Sequence, residues 1–221
     1  KQATPRLGGF AVGVAACAPV VGLLLFPGIS QMSRQLAGRG HALIGLLVCG
    51  AMALVVGGAD DVFNLRARWK LFWQIAIAVA AFMFGFTIKA ITNPFGPPID
   101  FGILSFPVTV FWFVGCMNAV NLLDGLDGLA AGTCFFVFMT LFLLALHFNN
   151  MLAMLVMGSA GGAVLGFLVF NFPPARTFLG DSGSMLLGFL VGALSLIGTD
   201  RKAEAAVARF VPVVSLGVPL L

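Results

Sequence analysis

Charge is what this chain has least of. Only 9% of its 221 residues are Asp, Glu, Lys or Arg, against about 25% in a soluble domain. Too little polar surface remains to cover an apolar core, so a soluble globular fold is excluded. Tyrosine is absent although phenylalanine occurs 23 times, a balance that favours lipid over a wet interface. Histidine is scarce: His41 and His147 stand alone at segment ends, with no Cys or His at ligand spacing, which argues against a zinc site. Cys17, Cys49, Cys116 and Cys134 are scattered through apolar runs without a CxxC pair and read as inert buried thiols. No signal peptide is visible. The net charge of +4 suits a protein beside anionic headgroups and requires no nucleic acid.

What is present is hydrocarbon, 60% of the residues, with a mean hydropathy of +1.08. A spanning helix needs about 20 mostly apolar residues. Suitable runs lie near 8–27, 41–59, 71–91, 103–121, 129–147, 151–170, 184–198 and 208–221. The expected fold class is therefore all-α: a polytopic integral membrane protein of about eight transmembrane helices, a single domain over 1–221 that reads as an excerpt cut at both ends. Breakers separate the runs at Pro27-Gly28, Gly38-Arg39-Gly40, Asn93-Pro94, Asn149-Asn150 and Pro173-Pro174. A small hairpin is expected at 93–102. No internal repeat is apparent, which counts against an inverted-repeat transporter.

Three acidic clusters interrupt the hydrocarbon and hold five of the eight acidic residues: Asp60-Asp61, the stretch from Asn118 and Asn121 to Asp124 and Asp127, and Gly180-Asp181-Ser182-Gly183-Ser184. A carboxylate within lipid costs roughly 2.5–3.5 kcal/mol on insertion scales, so such residues are functional candidates. The clusters follow the second, fourth and sixth runs. An even number of crossings separates them, so all three emerge on one side of the membrane. Charge does not say which side: six Lys or Arg lie with the clusters and six opposite.

Asp60-Asp61 leads into Asn64-Leu-Arg66-Ala-Arg68-Trp69-Lys70, a loop with cations placed for phosphate. Adjacent helical residues point about 100° apart, so the two Asp are expected to do different jobs. Asn118, Asn121, Asp124 and Asp127 recur every three residues. On a regular helix they would drift around about half a turn, so Gly125 and Gly128 are expected to end or break it. In the third cluster Ser182 or Ser184 is expected to cap the following helix, leaving N–H groups for an anion. No His lies in a relay position, which argues against a nucleophilic serine. Oxygen ligands without Cys or His spell a hard cation, most simply Mg²⁺. Carboxylates beside Arg and Lys at a membrane face suggest phosphoryl transfer involving a lipid.

Taken in order, Thr4-Pro5-Arg6-Leu7-Gly8-Gly9, the DD pair, LRARWKLFWQ, NAVNLLDGLDGLAAG and FNFPPARTFLGDSGS resemble the polyprenyl-phosphate N-acetylhexosamine-1-phosphate transferases over essentially the whole chain. That family starts peptidoglycan lipid intermediates, teichoic acids, O-antigen and enterobacterial common antigen. The resemblance implies a multi-pass enzyme of the bacterial cytoplasmic (inner) membrane, with its active site on the cytoplasmic face. It would transfer a sugar 1-phosphate from a UDP-sugar to undecaprenyl phosphate, releasing UMP, with Mg²⁺ (or Mn²⁺) as cofactor. The lipid bilayer and a second copy in a homodimer complete the implied partners.

By the same resemblance Asp181 is the metal ligand with Asp124, and Asp60 or Asp61 is the base that deprotonates the lipid phosphate. Lys70 contacts phosphate, Asn118, Asn121, Asp124 and Asp127 shape the nucleotide and metal site, Asn171 lies near the nucleotide, and Phe178 stacks on uracil. Arg6-Leu-Gly-Gly and Asp181-Ser-Gly-Ser lean toward the N-acetylglucosamine branch and away from the muramoyl-pentapeptide branch. A further helix before Lys1 and a His-rich loop beyond Leu221, linked to sugar choice, are also implied. Two other classes fit less well. A CDP-alcohol phosphotransferase needs an Arg that DGLDGLAAG lacks, and an ion-coupled transporter should carry its acids near the midplane.

Overall fold

The computed structural model describes residues 8–25, 40–91, 99–197, 202–217 and 219. Helices form in each of the eight expected places: α1 (Gly8–Leu25), α2 (Gly40–Phe63), α3 (Ala67–Met83), α4 (Ser105–Leu123), α5 (Leu129–His147), α6 (Met151–Asn171), α7 (Gly180–Leu194) and α8 (Lys202–Gly217). With no water in the bilayer core, a chain this apolar must satisfy its backbone within helices. Among the described residues four helical stretches are long and apolar enough to cross a membrane: Gly40–Phe63, Gly102–Leu123, Leu129–His147 and Met151–Asn171. Parts of α1, α7 and α8 form shorter apolar helices.

The third run departs furthest from expectation, while α7 and α8 start four and six residues early. The run at 71–91 is helical only to Met83, and it starts earlier, at Ala67. Gly85 takes φ 95° just beyond the end, a left-handed conformation that a side chain resists. The chain then enters β1 (Ala90–Ile91), which pairs antiparallel with β2 (Ile99–Asp100). This is the expected hairpin, displaced by a few residues; residues 92–98 lie outside the described residues. Ser105 Oγ donates to the Ile88 carbonyl at 2.9 Å and the Ile88 N–H donates to Thr109 Oγ1 at 2.9 Å. The hairpin is thereby tied to the start of α4. Arg209 on α8 donates to the Ala90 carbonyl from the other side.

α7 is the hub. It packs chiefly against α2 and α4 and also touches α1, α5 and α6. Every one of its residues except Asp181 is buried. Two glycines allow such close approach. A Cβ on Gly57 of α2 would overlap the Asp181 backbone and lie 2.5 Å from Ser182 Cα, and one on Gly188 would lie 2.5 Å from Met117 Cα on α4. Around this hub α5 and α6 pack as an antiparallel pair, with α1 laid along α6. α3 runs away from the start of α7 and α4 returns to it, so the hairpin closes the opposite end of the bundle.

Gly57→Ala is expected to push the start of α7 off α2 and to cost about 1–3 kcal/mol, the usual range for overpacking a well-filled site. Gly162→Ala on α6, where nothing lies within 4 Å of the added methyl, should be neutral or slightly stabilising. Thermal unfolding of the full-length protein in detergent separates the two. Equal midpoints for both variants would contradict the close packing of α7 on α2.

Candidate active site

The three clusters meet at the N-terminal end of α7, as helix parity requires. Asp60 and Asp61 occupy the last turn of α2 and do point to different partners. Asp60 is buried; its Oδ1 accepts the Leu65 N–H at 2.8 Å and its Oδ2 pairs with Lys70 Nζ at 2.8 Å. Asp61 crosses to α7, where Oδ1 accepts the Asp181 N–H at 2.8 Å and Oδ2 accepts the Ser182 N–H at 3.0 Å. A helix start leaves four N–H groups without intrahelical partners and carries the positive end of the macrodipole. Asp61 answers both needs from a distant helix.

This corrects the expected serine cap. The residue preceding α7 is Leu179, which makes no side-chain cap, and the buried Ser182 hydroxyl has no hydrogen-bond partner. Ser184 Oγ accepts from Asn121 Nδ2 at 2.9 Å and donates to the Asp181 carbonyl at 3.3 Å. The N–H groups expected to await an external anion are held by Asp61, an anion of the protein itself. The start of α1 docks alongside: Gly8 and Gly9 N–H donate to the Phe178 and Leu179 carbonyls at 3.2 and 3.0 Å. Residues 4–7 of the same motif lie outside the described residues.

Lys70 sits in the first turn of α3, half-buried, and draws the clusters together. Besides Asp60, its ammonium donates to Asp181 Oδ1 and, at 3.3 Å, to Asn121 Oδ1. Three N–H donors thus meet three acceptors. Asn121 completes the ring by donating from Nδ2 to Asp181 Oδ1 at 2.7 Å.

The residues spaced by three divide as the glycines suggest. α4 ends at Leu123 and a turn follows, in which Gly128 takes φ 75° and leads into α5. Asn121 and Asp124 reach a cavity of about 500 Å³, bounded also by Asp61 and Asp181, by Phe178 and Leu122, and by Gly125 and Gly180. Asn118 does not reach it and pairs instead with Gln74 of α3. Asp127 is exposed, and its Oδ2 accepts the Ala175 N–H at 3.2 Å. Asn171 is also away from the cavity wall. Its Oδ1 accepts the Gly128 N–H at 3.1 Å and its Nδ2 donates to the Thr177 carbonyl at 2.9 Å, tying the α4–α5 turn to the segment before α7.

Burial, and after it the charges of Asp181 and Asp61, push the Asp124 carboxyl up to about 7, against a backbone hydrogen bond from Gly180. Among the described residues no three His, Cys, Asp or Glu side chains are grouped as a ready metal site. Two participants were missed in the sequence. Gln74 had a readable signal, an amide four residues after Lys70 in an apolar helix. Ser184 had been read only as a cap.

The chain resembles known proteins along most of its length. A family model described as "Glycosyl transferase family 4" matches residues 43–199. The chain is 34% identical over 217 residues to a protein of Bacillus subtilis (strain 168) named "Probable undecaprenyl-phosphate N-acetylglucosaminyl 1-phosphate transferase", covering 98% of this chain and 57% of that one. A "Phospho-N-acetylmuramoyl-pentapeptide-transferase" of Thermoanaerobacter sp. (strain X514) is 35% identical over 189 residues, covering 80% of this chain and 56% of the relative. One of the same name from Desulforudis audaxviator (strain MP104C) is 39% identical over 203 residues, covering 80% and 58%. The chain therefore spans a little over half the length of these relatives. With the family match extending from α2 to the end of α7 and enclosing every cavity residue, the chain belongs to glycosyl transferase family 4.

Proposed function

We propose that the protein transfers N-acetylglucosamine 1-phosphate from UDP-N-acetylglucosamine to undecaprenyl phosphate at the cytoplasmic face of the bacterial inner membrane. The product lipid would initiate a cell-envelope glycan. The observation that carries this reading is the meeting of Asp61, Asn121, Asp124, Phe178 and Asp181 around one cavity at the helix ends, with Lys70 bonded behind them. A water-soluble nucleotide and a phosphate on a hydrocarbon tail can meet only at such an edge. Support also comes from the name and coverage of the Bacillus subtilis relative. An oxygen of the lipid phosphate forms a bond to the phosphorus bearing the sugar, the phosphoanhydride bond to UMP breaks, and the electron pair leaves with UMP.

The cavity residues divide this work by chemistry. Phe178, on the wall and 39% exposed, offers a ring face to uracil. Lys70, bonded to Asp181 behind the wall, would offset part of the charge that builds when two phosphates approach, and Asn121 holds the Asp181 carboxylate on the cavity side. Of the two candidate bases only Asp61 lines the cavity, whereas Asp60 is the ion partner of Lys70. Asp61 is therefore our candidate to take the proton of the lipid phosphate. The carboxylates also fit a hard cation: Asp61, Asp124 and Asp181 line one cavity, and the Asp124 carboxyl is raised first by burial and then by the charges of Asp181 and Asp61. Mg²⁺ takes one or two carboxylates together with substrate phosphates, so no three-carboxylate cage is needed. Asp181 and Asp124 would hold it, and it would supply charge neutralisation at the transferring phosphoryl group.

The muramoyl-pentapeptide branch is the second reading, favoured by the further relatives of that name. Full-length protein with undecaprenyl phosphate and Mg²⁺ is expected to release UMP from UDP-N-acetylglucosamine. Release from UDP-muramoyl-pentapeptide instead would reassign the branch. Asp181→Asn should lower turnover by about 10²–10³-fold, as loss of a charge-stabilising group does, while circular dichroism and the elution volume stay unchanged. Near-normal turnover would remove Asp181 from the metal role.

The Asp124 carboxyl gives a further test, in chelator and without substrate. Its folded value near 7 exceeds the ordinary 3.8, so the folded state binds more protons than the unfolded state between these values. Stability from this group is full below about 4 and is lost as pH rises through 7. Asp124→Asn should therefore raise the thermal midpoint relative to wild type at pH 8.5 and much less at pH 5. A pH-independent difference would exclude a titrating Asp124.

A further inference from the structure

Behind the cavity lies a polar contact that the chemistry above does not use. Gln74 is 1% exposed, in a stretch of α3 whose other buried residues are Ile77, Ala78 and Ala81. Asn118 Nδ2 donates to Gln74 Oε1 at 2.9 Å and to the Val114 carbonyl at 2.8 Å, and Gln74 Nε2 returns a longer bond to Asn118 Oδ1 at 3.4 Å. The two amides thus exchange hydrogen bonds between α3 and α4. Hydrogen bonds between membrane helices add little net stability, and an apolar pair would fill the same space. Stability alone gives little reason for amides here.

Their register gives one. Gln74 follows Lys70 by four residues and Asn118 precedes Asn121 by three, so each pair lies on one face of its helix. α3 leaves the cavity as α4 approaches it, so the amide pair sits one turn deeper than the Lys70–Asn121 contact. An apolar interface tolerates small rotations and slides, because its attraction is non-directional. A two-way amide bond does not, since turning either helix breaks it and strands a buried polar group. Lys70 has no slack of its own: its ammonium must meet Asp60 on α2, Asn121 on α4 and Asp181 on α7. Rotation of α3 by a fraction of a turn would carry it off at least one.

We propose that Gln74 and Asn118 form a positioning clasp that sets the rotation of α3 against α4 and so holds Lys70 and Asn121 on Asp181. Asn118, read in the sequence as a substrate contact, acts through the protein instead. The catalytic consequence rests on the proposed transferase reaction; the effect on Lys70 does not. Misplacing a group of the site by about 1 Å can cost about 10²-fold in rate, and Lys70 and Asn121 hold the cavity carboxylate Asp181, so the clasp should be felt in kcat and little in folding.

The test uses full-length protein in nanodiscs, with Gln74→Leu, the double variant Gln74→Leu/Asn118→Leu and the exchanged pair Gln74→Asn/Asn118→Gln. Two readouts are taken: labelling of Lys70 by an amine-acylating reagent, followed by peptide mass spectrometry, and UMP release. The double apolar variant leaves no amide unpaired and should keep the wild-type thermal midpoint. It is nevertheless expected to label Lys70 severalfold faster and to lose about tenfold or more in kcat. The exchanged pair should recover part of both. Wild-type turnover and labelling in the double apolar variant would overturn the clasp, as would a kcat loss in Gln74→Leu that merely tracks unfolded protein. Faster labelling with no UMP release even from wild type would uphold the clasp and defeat the proposed reaction.

Discussion

A helix walled in by other helices cannot leave its first N–H groups to water, and the two bonds from Asp61 to the start of α7 meet that constraint. In an apolar interior an unsatisfied backbone group costs several kcal/mol. A serine on the helix would satisfy one donor. A carboxylate from α2 satisfies two and also sets a negative charge against the positive end of the helix. The bonds can form only because Gly57, one helical turn before Asp61, presents no side chain to the α7 backbone. Glycine, carboxylate and buried helix are therefore one device. Its product is the placement of Asp181, the one residue of α7 that is not buried, on the wall of the open cavity.

That solution creates a charge problem, and the rest of the site follows from it. Asp60, Asp61, Asp124 and Asp181 are gathered at one end of the bundle, and among the described residues the cation bonded to them is Lys70. The α7 macrodipole contributes roughly half a charge more. Lys70 spends its donors on Asp60, Asp181 and Asn121 and makes none of its bonds to Asp124. Asp124 is buried and lies beside the charges of Asp181 and Asp61, which together push its carboxyl up to about 7. A centre short of positive charge would suit the divalent ion proposed above, whose charge would be shared between these carboxylates and the phosphates of the proposed substrate. The same imbalance makes the positioning of Lys70 matter, since among the described residues no second ammonium is bonded to the cluster.

Much of this was legible in the sequence because it depends on quantities that run along the chain. Hydrophobic length located eight helices, and counting crossings placed Asp60-Asp61, Asp124 and Asp181 at one end. Gly125 and Gly128 announced the break after Leu123. What stayed hidden depends on partners far apart in sequence. Asp61 finds Asp181 across 120 positions and Gln74 finds Asn118 across 44. Local cap chemistry therefore pointed to Ser182 or Ser184, whereas packing delivered Asp61. The end of α3 at Met83 was obscured for another reason: Phe84, Phe86 and Ile88 continue the apolar run while the backbone has already turned. Composition records burial there but not the conformation being buried.

The motif with a period of three shows how polar residues in a membrane helix need not share a task. Asn121 and Asp124 face the cavity, where α4 is ending and the chain can curl around a ligand. Asn118, a turn deeper, and Asp127, beyond the break, both bond to protein. The split follows from geometry, because a step of three residues turns about 300° and only neighbouring members of the series share a direction. It also bears on the class of protein. A transporter relay would need its acids inside the bundle, near the midplane, so that an ion could be passed between faces. Here Asp60 and Asp61 lie in the last turn of α2, Asp124 caps α4, Lys70 lies in the first turn of α3 and Asp181 in the first turn of α7. Below that rim the polar contact linking α3 to α4 is the Gln74–Asn118 pair, whose donors and acceptors are turned on each other. Such an arrangement suits chemistry done at one face better than the passing of an ion between faces.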